Sequence, residues 1–179
     1  MAEKTALIVY AHQNKRSFNA AARDVAVQAL SKQGYKVFVT DLYAANFKAS
    51  ATADDIKGDL QDPENFVYNT EMMVAWKDGR LSDDIAEEQH KVQQADLIIF
   101  QFPLYWFGVP AILKGWIDRV LTQGFAFSMQ NMYDTGIFKN KKAIISLTTG
   151  GTESMYQPDG VHGDINILLW PLQARSTFT

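Results

Sequence analysis

The sequence predicts an α/β protein whose single domain is built on an open, doubly wound parallel sheet. Three observations predict it. Short, continuous apolar runs are typical of strands buried on both faces, one-sided amphipathic segments typical of helices lie between them, and a length of 179 residues is usual for one domain. In such sheets ligands bind beyond the carboxyl ends of the strands, so the loops that begin there are the places to look for function.

The first forty residues predict a strand, a helix and a second strand. Residues 5–11 form a buried apolar run, and Ser17 then has the character of an N-cap. The helix that follows has one apolar face and stops at Gly34, a residue type favoured just beyond helix ends; the face comprises Ala22, Val25, Ala26, Ala29 and Leu30. Residues 35–40, which are rich in β-branched and aromatic types, predict the second strand. This order is the signature of a parallel pair with a right-handed crossover.

The remainder of the chain continues the alternation. Residues 66–77 and 83–94 predict helices, the second capped by Ser82, and residues 95–102 predict a third buried strand. Pro110 has the place of a first helical proline, ahead of a helical repeat of apolar residues; the repeat comprises Leu113, Trp116, Ile117, Val120 and Leu121. Residues 143–147 predict a fourth buried strand. The loops expected at the ligand-binding edge therefore begin at residues 11, 41, 103 and 148.

Composition excludes several classes of function. The formal net charge of −3 argues against a nucleic-acid binder, and the absence of cysteine excludes disulfides and thiolate metal sites. Three scattered histidines make a metal site unexpected. With no apolar run of membrane-spanning length and no signal-peptide pattern, we expect a cytoplasmic protein with no membrane partner.

The first of the four loops predicts an anion site. It runs from residue 11 into the predicted helix that Ser17 caps, where free N–H groups and the helix dipole favour a phosphate. His12 precedes this helix start and Asn19 follows it, and Lys15 and Arg16 add positive charge. Ser17 as a simple cap and His12 as a packed histidine are the alternatives.

The third and fourth loops predict a planar ligand. Tyr105, Trp106 and Phe107 cannot all face one way in extended chain, so at least one ring should be exposed as a flat wall. The run Thr148, Thr149, Gly150, Gly151 offers backbone N–H groups to an electron-rich edge, and Tyr156 and His162 are possible proton donors. Ordinary packing and an ordinary turn are the alternatives for each signal alone, but a phosphate site, an aromatic wall and a polar glycine edge together fit a flavin.

Several stretches identify a family. The sequence closely resembles the NAD(P)H:quinone oxidoreductases, or DT-diaphorases, over residues 4–173. The resemblance is carried by residues 6–12, 17–19, 41–43, 100–116, 148–151, 163–164 and 169–171. The run FQFPLYWFGVPAILKGW at 100–116 is long enough to be highly specific.

The resemblance implies a flavodoxin-like fold, bound FAD and a homodimer with sites at the interface. It also implies that a reduced nicotinamide and a quinone react in turn at one place. The residues that would hold FAD are His12, Phe18, Asn19, Leu104, Tyr105, Trp106, Phe107, Thr148, Thr149, Gly150, Gly151 and Tyr156; Ser17 and Pro103 complete the predicted cofactor site. Tyr156 and His162 would be catalytic, stabilising charge and supplying protons. The quinone slot would comprise Trp106, Phe107, Phe127, Met129, Met155 and His162, with Phe127 and Met129 from the other subunit.

Some positions depart from the family pattern. Phe127 and Met129 resemble the branch that uses dihydronicotinamide riboside, whereas His162 matches the branch that uses NAD(P)H, so the donor is left open. Val67 stands where one branch has a glutamine, and the residues of the second branch's structural metal site are absent, so we predict no zinc. An FMN-binding electron-transfer flavodoxin is a weaker alternative.

The carboxyl end departs most. Residues 174–179 (ARSTFT) resemble no part of the family, whose members continue through a further strand and helix. We therefore expect a C-terminally truncated form that lacks the last strand and helix and leaves an exposed sheet edge. A catalytically weak or inactive remnant that still binds flavin or dimerises is the alternative to an active enzyme.

Overall fold

A four-stranded parallel sheet forms the centre of the computed structural model, which describes residues 3–131 and 135–173. The strands are β1 (Thr5–Tyr10), β2 (Lys36–Asp41), β3 (Leu97–Pro103) and β4 (Lys142–Thr148), in the order β2-β1-β3-β4. All three pairings are parallel, and they bring Ile8, Ile99 and Ile144 into one row. The predicted α/β fold with a parallel sheet is confirmed.

Five α-helices connect and flank the strands in the described part of the chain. They are α1 (Phe18–Lys32), α2 (Tyr68–Lys77), α3 (Asp83–Gln94), α4 (Ala111–Val120) and α5 (Ile165–Gln173). The first four match the predicted helices closely, and Gly34 ends the first with a positive φ of 82°. Pro110 is the N-cap of α4 and not its first helical residue. The sequence analysis did not predict α5, which contains Pro171. Among the described residues no helix is long and apolar enough to cross a membrane.

The main core lies on one face of the sheet. Alternate residues of β1 and β3 pack there against α3 and α4, because successive strand side chains point to opposite faces. The fully buried members include Leu7, Val9, Val92, Ile98, Phe102, Leu113, Trp116 and Val120. The other face carries α1, whose Asn19 and Ala20 are buried. This arrangement holds the strand ends, and the loops that leave them, in one rigid frame.

Two burial predictions are wrong. β4 was predicted to be buried, but Lys142, Ala143 and Ile144 are exposed. Along the row shared with Ile8 and Ile99 the exposed fraction rises from 0% and 8% to 47% at Ile144, because β4 pairs only with β3 in the described residues. Val25 and Ala29 were placed on the apolar face of the first helix, but both are exposed, Val25 by 64%, since no described residue covers that flank of α1.

A buried ionic cluster anchors the long connection between β2 and α2. The Arg119 side chain of α4 donates from Nε and Nη2 to both oxygens of Asp55, at 3.2 and 2.9 Å, and both side chains are almost fully buried. Tyr68 Oη and Lys48 Nζ also donate to Asp55, at 2.8 and 3.1 Å. Burial acts to raise the pKa of Asp55, but the hydrogen bonds from Arg119, Tyr68 and Lys48 outweigh it and hold that pKa below its ordinary value. Asp84 adds a second carboxylate to Arg119 at 2.8 Å.

Candidate functional site

The loop after β1 presents a histidine in a defined tautomer. The Asn14 backbone N–H donates to His12 Nδ1 at 2.9 Å, so in the neutral ring the proton is on Nε2, which can donate outward. The loop then turns into α1, where Ser17 Oγ accepts from the Ala20 N–H at 3.1 Å. Ser17 is therefore the N-cap of α1, as predicted.

The start of α1 is suited to an anion. The backbone N–H groups of Phe18 and Asn19 find no acceptor among the described residues, as expected for the first turn of a helix. Lys15 and Arg16 are exposed immediately before it, and no acidic residue occupies the first turn. Free donors, the helix dipole and two cations together favour a phosphate or pyrophosphate group.

Side-chain and backbone hydrogen bonds join this helix start to the ends of β3 and β4. Asn19 Nδ2 donates to Thr148 Oγ1 at 2.8 Å, and Gln101 Nε2 donates to Asn19 Oδ1 at 2.8 Å. The Leu104 N–H donates to the Thr148 carbonyl at 2.8 Å, beside the pairing of Pro103 with Thr148. The three predicted loops therefore meet at one edge of the sheet.

The aromatic run after β3 is a tight turn and not extended chain. Tyr105 and Gly108 exchange two backbone hydrogen bonds of 3.0 Å, and between them Trp106 and Phe107 have φ values of 48° and 60°. Two left-handed residues between a hydrogen-bonded pair define a type I′ turn, where Asn and Gly are normally preferred. The turn exposes Trp106 by 97%, and Tyr105 and Phe107 by 39% and 44%. All three rings, and not just one, are therefore available to a ligand.

The loop after β4 joins the glycine run to the two predicted proton donors. A Cβ added at Gly150 would meet no described heavy atom within 4 Å, whereas one at Gly151 would lie 3.0 Å from the Met155 sulfur and 3.1 Å from the Tyr156 ring. The His162 N–H donates to the Met155 carbonyl at 2.9 Å. The backbone at Gly150 is thus open to close approach, whereas Gly151 lies against Met155 and Tyr156, and His162 is hydrogen-bonded to Met155.

An aromatic cluster connects the third and fourth loops. The His162 ring centroid lies 5.2 Å from that of Phe107 and 5.1 Å from that of Tyr156. The Tyr105 hydroxyl is 3.2 Å from both side-chain amide atoms of Gln13, which ties the same turn back to the first loop. Contacts thus join the first loop to the third and fourth through Gln13 and Asn19, and the third to the fourth through Phe107 and His162.

Two predicted residues lie apart from this cluster. Phe127 packs against the main core and its carbonyl accepts from the Gly124 N–H at 2.7 Å. Met129 is 77% exposed. No contact between either residue and the three loops is seen among the described residues. Their predicted place in a partner's site stays a prediction, and the predicted unmatched tail at 174–179 lies outside the described residues.

The sequence analysis missed three residues at the site. Gln13 and Gln101 make the contacts given above. Tyr43 follows β2, and its burial and the nearby Tyr105 raise the pKa of Tyr43. Gln101 had a visible signal, since it is a polar residue inside the apolar run at 97–103. Gln13 and Tyr43 lie in loops that the sequence placed at the ligand-binding edge, but only the folded loops reveal their proximity to Tyr105.

The fold and this edge define a class of protein. A parallel sheet with helices on both faces and an anion-binding helix start beyond its first strand is the arrangement of flavodoxin-like proteins. In agreement, residues 4–179 match the sequence profile of the family described as Flavodoxin-like fold, to which the chain belongs. Membership of this family implies a flavin cofactor.

Similar proteins narrow the class further. The chain is 57% identical over 171 residues to "NAD(P)H dehydrogenase [quinone] 1" of Cavia porcellus, covering 96% of this chain and 62% of that protein. It is 57% identical over 173 residues to "Ribosyldihydronicotinamide dehydrogenase [quinone]" of Homo sapiens, covering 97% of this chain and 75% of that protein. A crystal structure of a putative quinone reductase from Klebsiella pneumoniae superposes with a TM-score of 0.90 at 40% identity, over 96% of this chain and 69% of that one.

These matches show that the chain belongs to the NAD(P)H:quinone oxidoreductase family, as the sequence resemblance implied. It spans less than two thirds of the length of the Cavia porcellus relative.

Proposed function

We propose that the protein reduces quinones by two electrons, using a reduced nicotinamide as donor and FAD as cofactor. The observation that carries the proposal is the meeting of three loops at the carboxyl edge of the sheet. There the contacts of Asn19, Thr148 and Leu104 fix an anion site beside an exposed aromatic turn and an open glycine backbone. The names of the two curated relatives supply the substrate class.

The residues present fit an FAD molecule. The unused N–H groups of Phe18 and Asn19 suit its pyrophosphate, and the backbone open at Gly150 suits a polar ring edge. The exposed rings at 105–107 suit a planar tricycle. The full set proposed to hold it is His12, Ser17, Phe18, Asn19, Pro103, Leu104, Tyr105, Trp106, Phe107, Thr148, Thr149, Gly150, Gly151 and Tyr156.

When bound, FAD supplies the hydride chemistry that links a nicotinamide donor to a quinone acceptor, each visiting in turn. The chain's own part is to bind, orient and move protons. We assign proton donation to Tyr156 Oη and to the His162 ring, which is held between Phe107 and Tyr156. Trp106, Phe107, Met155 and His162 would border the quinone.

Other parts of the proposal concern assembly and specificity. We propose a homodimer in which each subunit lends Phe127 and Met129 to its partner's quinone slot. Those residues favour dihydronicotinamide riboside as donor and His162 favours NAD(P)H, so both donors are to be compared. A cytoplasmic location, no nucleic-acid partner and no bound metal complete the proposal.

The first experiment is a spectrum followed by two additions. The purified chain should be yellow, lose its visible absorbance on addition of NADH or dihydronicotinamide riboside, and regain it with menadione. Release of the cofactor by heat and its chromatography distinguish FAD from FMN. A colourless dimer would contradict the proposed enzyme activity and support the alternative of an inactive remnant that still dimerises.

A pair of histidine variants tests the site. His162→Gln should slow quinone reduction at least several-fold while the flavin content is retained, because the ring lies against Phe107 and Tyr156. The matched control is His90→Gln, on α3, whose ring contacts Gln94 on the exposed side of that helix. Equal turnover of the two variants would remove His162 from the mechanism.

A further inference from the structure

A buried amide lies behind the candidate cofactor site and belongs to neither its surface nor the apolar core. Gln101 is in the middle of β3 and is only 4% exposed. A buried polar side chain costs free energy unless it is hydrogen-bonded, so its partners indicate why it is retained. Its side-chain partner is Asn19 Oδ1, at 2.8 Å, and Asn19 is itself 3% exposed.

The bond from Gln101 fixes which way the Asn19 amide points. Because Gln101 Nε2 donates to Asn19 Oδ1, the Nδ2 group of Asn19 is directed away, toward β4. There it donates to Thr148 Oγ1 at 2.8 Å. The three side chains therefore form a hydrogen-bonded relay in which Gln101 on β3 donates to Asn19 in the first turn of α1, and Asn19 donates to Thr148 at the end of β4.

The relay determines what Thr148 can offer to a ligand. A threonine hydroxyl has one hydrogen, and an oxygen that already accepts keeps that hydrogen for another partner. Among the described residues no acceptor for the Thr148 hydroxyl is found, and the side chain is half-buried beside the open Gly150 backbone. The hydroxyl is thus a spare donor at the site.

We propose that Gln101 is a positioning residue for cofactor binding. By orienting the Asn19 amide, it leaves the hydrogen of the Thr148 hydroxyl free to be donated to an acceptor atom of the bound flavin. The proposal rests on the proposed function for the identity of the ligand. It assigns no contact between Gln101 and the cofactor, because two side chains separate them.

A double-mutant cycle tests it. Gln101→Met keeps the length and removes the donor, and Thr148→Val removes the hydroxyl while keeping the shape. The dissociation constant for FAD is measured by quenching of flavin fluorescence in apoprotein of the wild type, both single variants and the double variant. We expect Gln101→Met to weaken FAD binding about 5–10-fold, the value of one hydrogen bond, and to have less than a twofold effect when Thr148 is already valine.

A second variant reverses the relay instead of removing it. Gln101→Glu at pH 8 places an acceptor opposite Asn19, whose amide must then turn and present oxygen to Thr148. FAD binding should be weaker than in Gln101→Met, and again only while the threonine is present. Thermal midpoints of all apoproteins show whether a variant has lost stability. A purely structural role of Gln101 would lower FAD affinity equally whether residue 148 is threonine or valine.

The outcomes are distinct. If the wild type binds FAD and Gln101→Met is without effect, or acts equally in the Thr148→Val background, the positioning role is overturned and the proposed function stands. If the wild-type apoprotein binds no FAD, the proposed function falls and the inference falls with it.

Discussion

The ionic cluster around Arg119 and the rim formed by the three loops contrast in how they use polar groups. In the cluster, donors and acceptors face one another: Arg119 is 1% exposed and Asp55 0%, and both have several partners. At the rim, helix N–H groups lack acceptors among the described residues and Trp106 is almost wholly exposed. The polar groups of the cluster are paired with one another, whereas the helix N–H groups of the rim have no acceptor among the described residues. Polar groups in the first region therefore stabilise the fold, and those in the second are available for binding.

Removing Arg119 should have the largest effect on stability. Arg119→Met leaves the carboxylate of Asp55 buried without its main partner, and breaking such a pair costs about 3–5 kcal/mol. The measurement is the free energy of unfolding in urea. Lys114→Met is the matched control, because its ion pair with Asp118 is exposed and worth less than about 1 kcal/mol. A loss below 1 kcal/mol in Arg119→Met would contradict the role given to the cluster.

Two glycine substitutions should have the next largest effects, and they distinguish a tightly packed position from one at the rim. A Cβ at Gly115 would lie 2.2 Å from the Ala49 carbonyl oxygen, so Gly115→Ala must move backbone and should cost about 2–3 kcal/mol. At Gly150 the same change meets no described atom within 4 Å. Gly150→Ala should keep the unfolding free energy but weaken FAD binding, because the methyl group occupies space proposed for the cofactor. Destabilisation of the second variant to the same extent would remove the contrast.

The cluster should also make stability depend on acidity. The pKa of Asp55 is lowered in the folded chain, so its contribution is fully present above the ordinary carboxyl pKa of about 3.9. It is lost as pH falls through the lower folded value. Tyr68→Phe removes one donor to Asp55 and should lessen the loss of unfolding free energy as pH falls from about 5 to below 3. Tyr35→Phe should retain the wild-type dependence; identical profiles for Tyr68→Phe and wild type would contradict this account.

The smallest effect concerns the aromatic turn and has the opposite sign. Trp106 has a φ of 48°, which asparagine tolerates better than tryptophan, so Trp106→Asn should stabilise the apoprotein by up to about 1 kcal/mol. The same change should weaken FAD binding by removing an exposed ring. Unfolding curves and flavin titrations of one preparation give both numbers. A variant that loses stability would show that the turn is not strained.

The sequence predicted the frame of the molecule well because the frame follows from periodic apolar patterns. The cap at Ser17, the stop at Gly34 and the four strands were found from local signals that the structure confirms. Burial of β4, predicted from its apolar residues, was wrong; the exposed sheet edge that we also expected is found there, because among the described residues β4 pairs only with β3. α5 was missed, since Pro171 interrupts the usual helical signal.

Residues of the candidate site could be proposed from the sequence only where a loop follows a strand. His12, Asn19 and the glycine run were found in that way. The type I′ turn at Trp106 and Phe107 was not, because both residue types are unfavourable at positive φ and only the closed hydrogen bonds between Tyr105 and Gly108 reveal it. The contact of Gln101 with Asn19 depends on packing between elements 82 residues apart, which local pattern does not contain.

The exposure of Trp106 gives this molecule an optical reporter of its own. The chain has four tryptophans, and the indole of Trp116 is fully enclosed, whereas that of Trp106 is 97% open to water. Water around an excited indole shifts its emission to longer wavelengths, and a stacked acceptor ring extinguishes it. Binding of a ligand at the tip of the turn can therefore be followed by intrinsic tryptophan fluorescence, with no label attached.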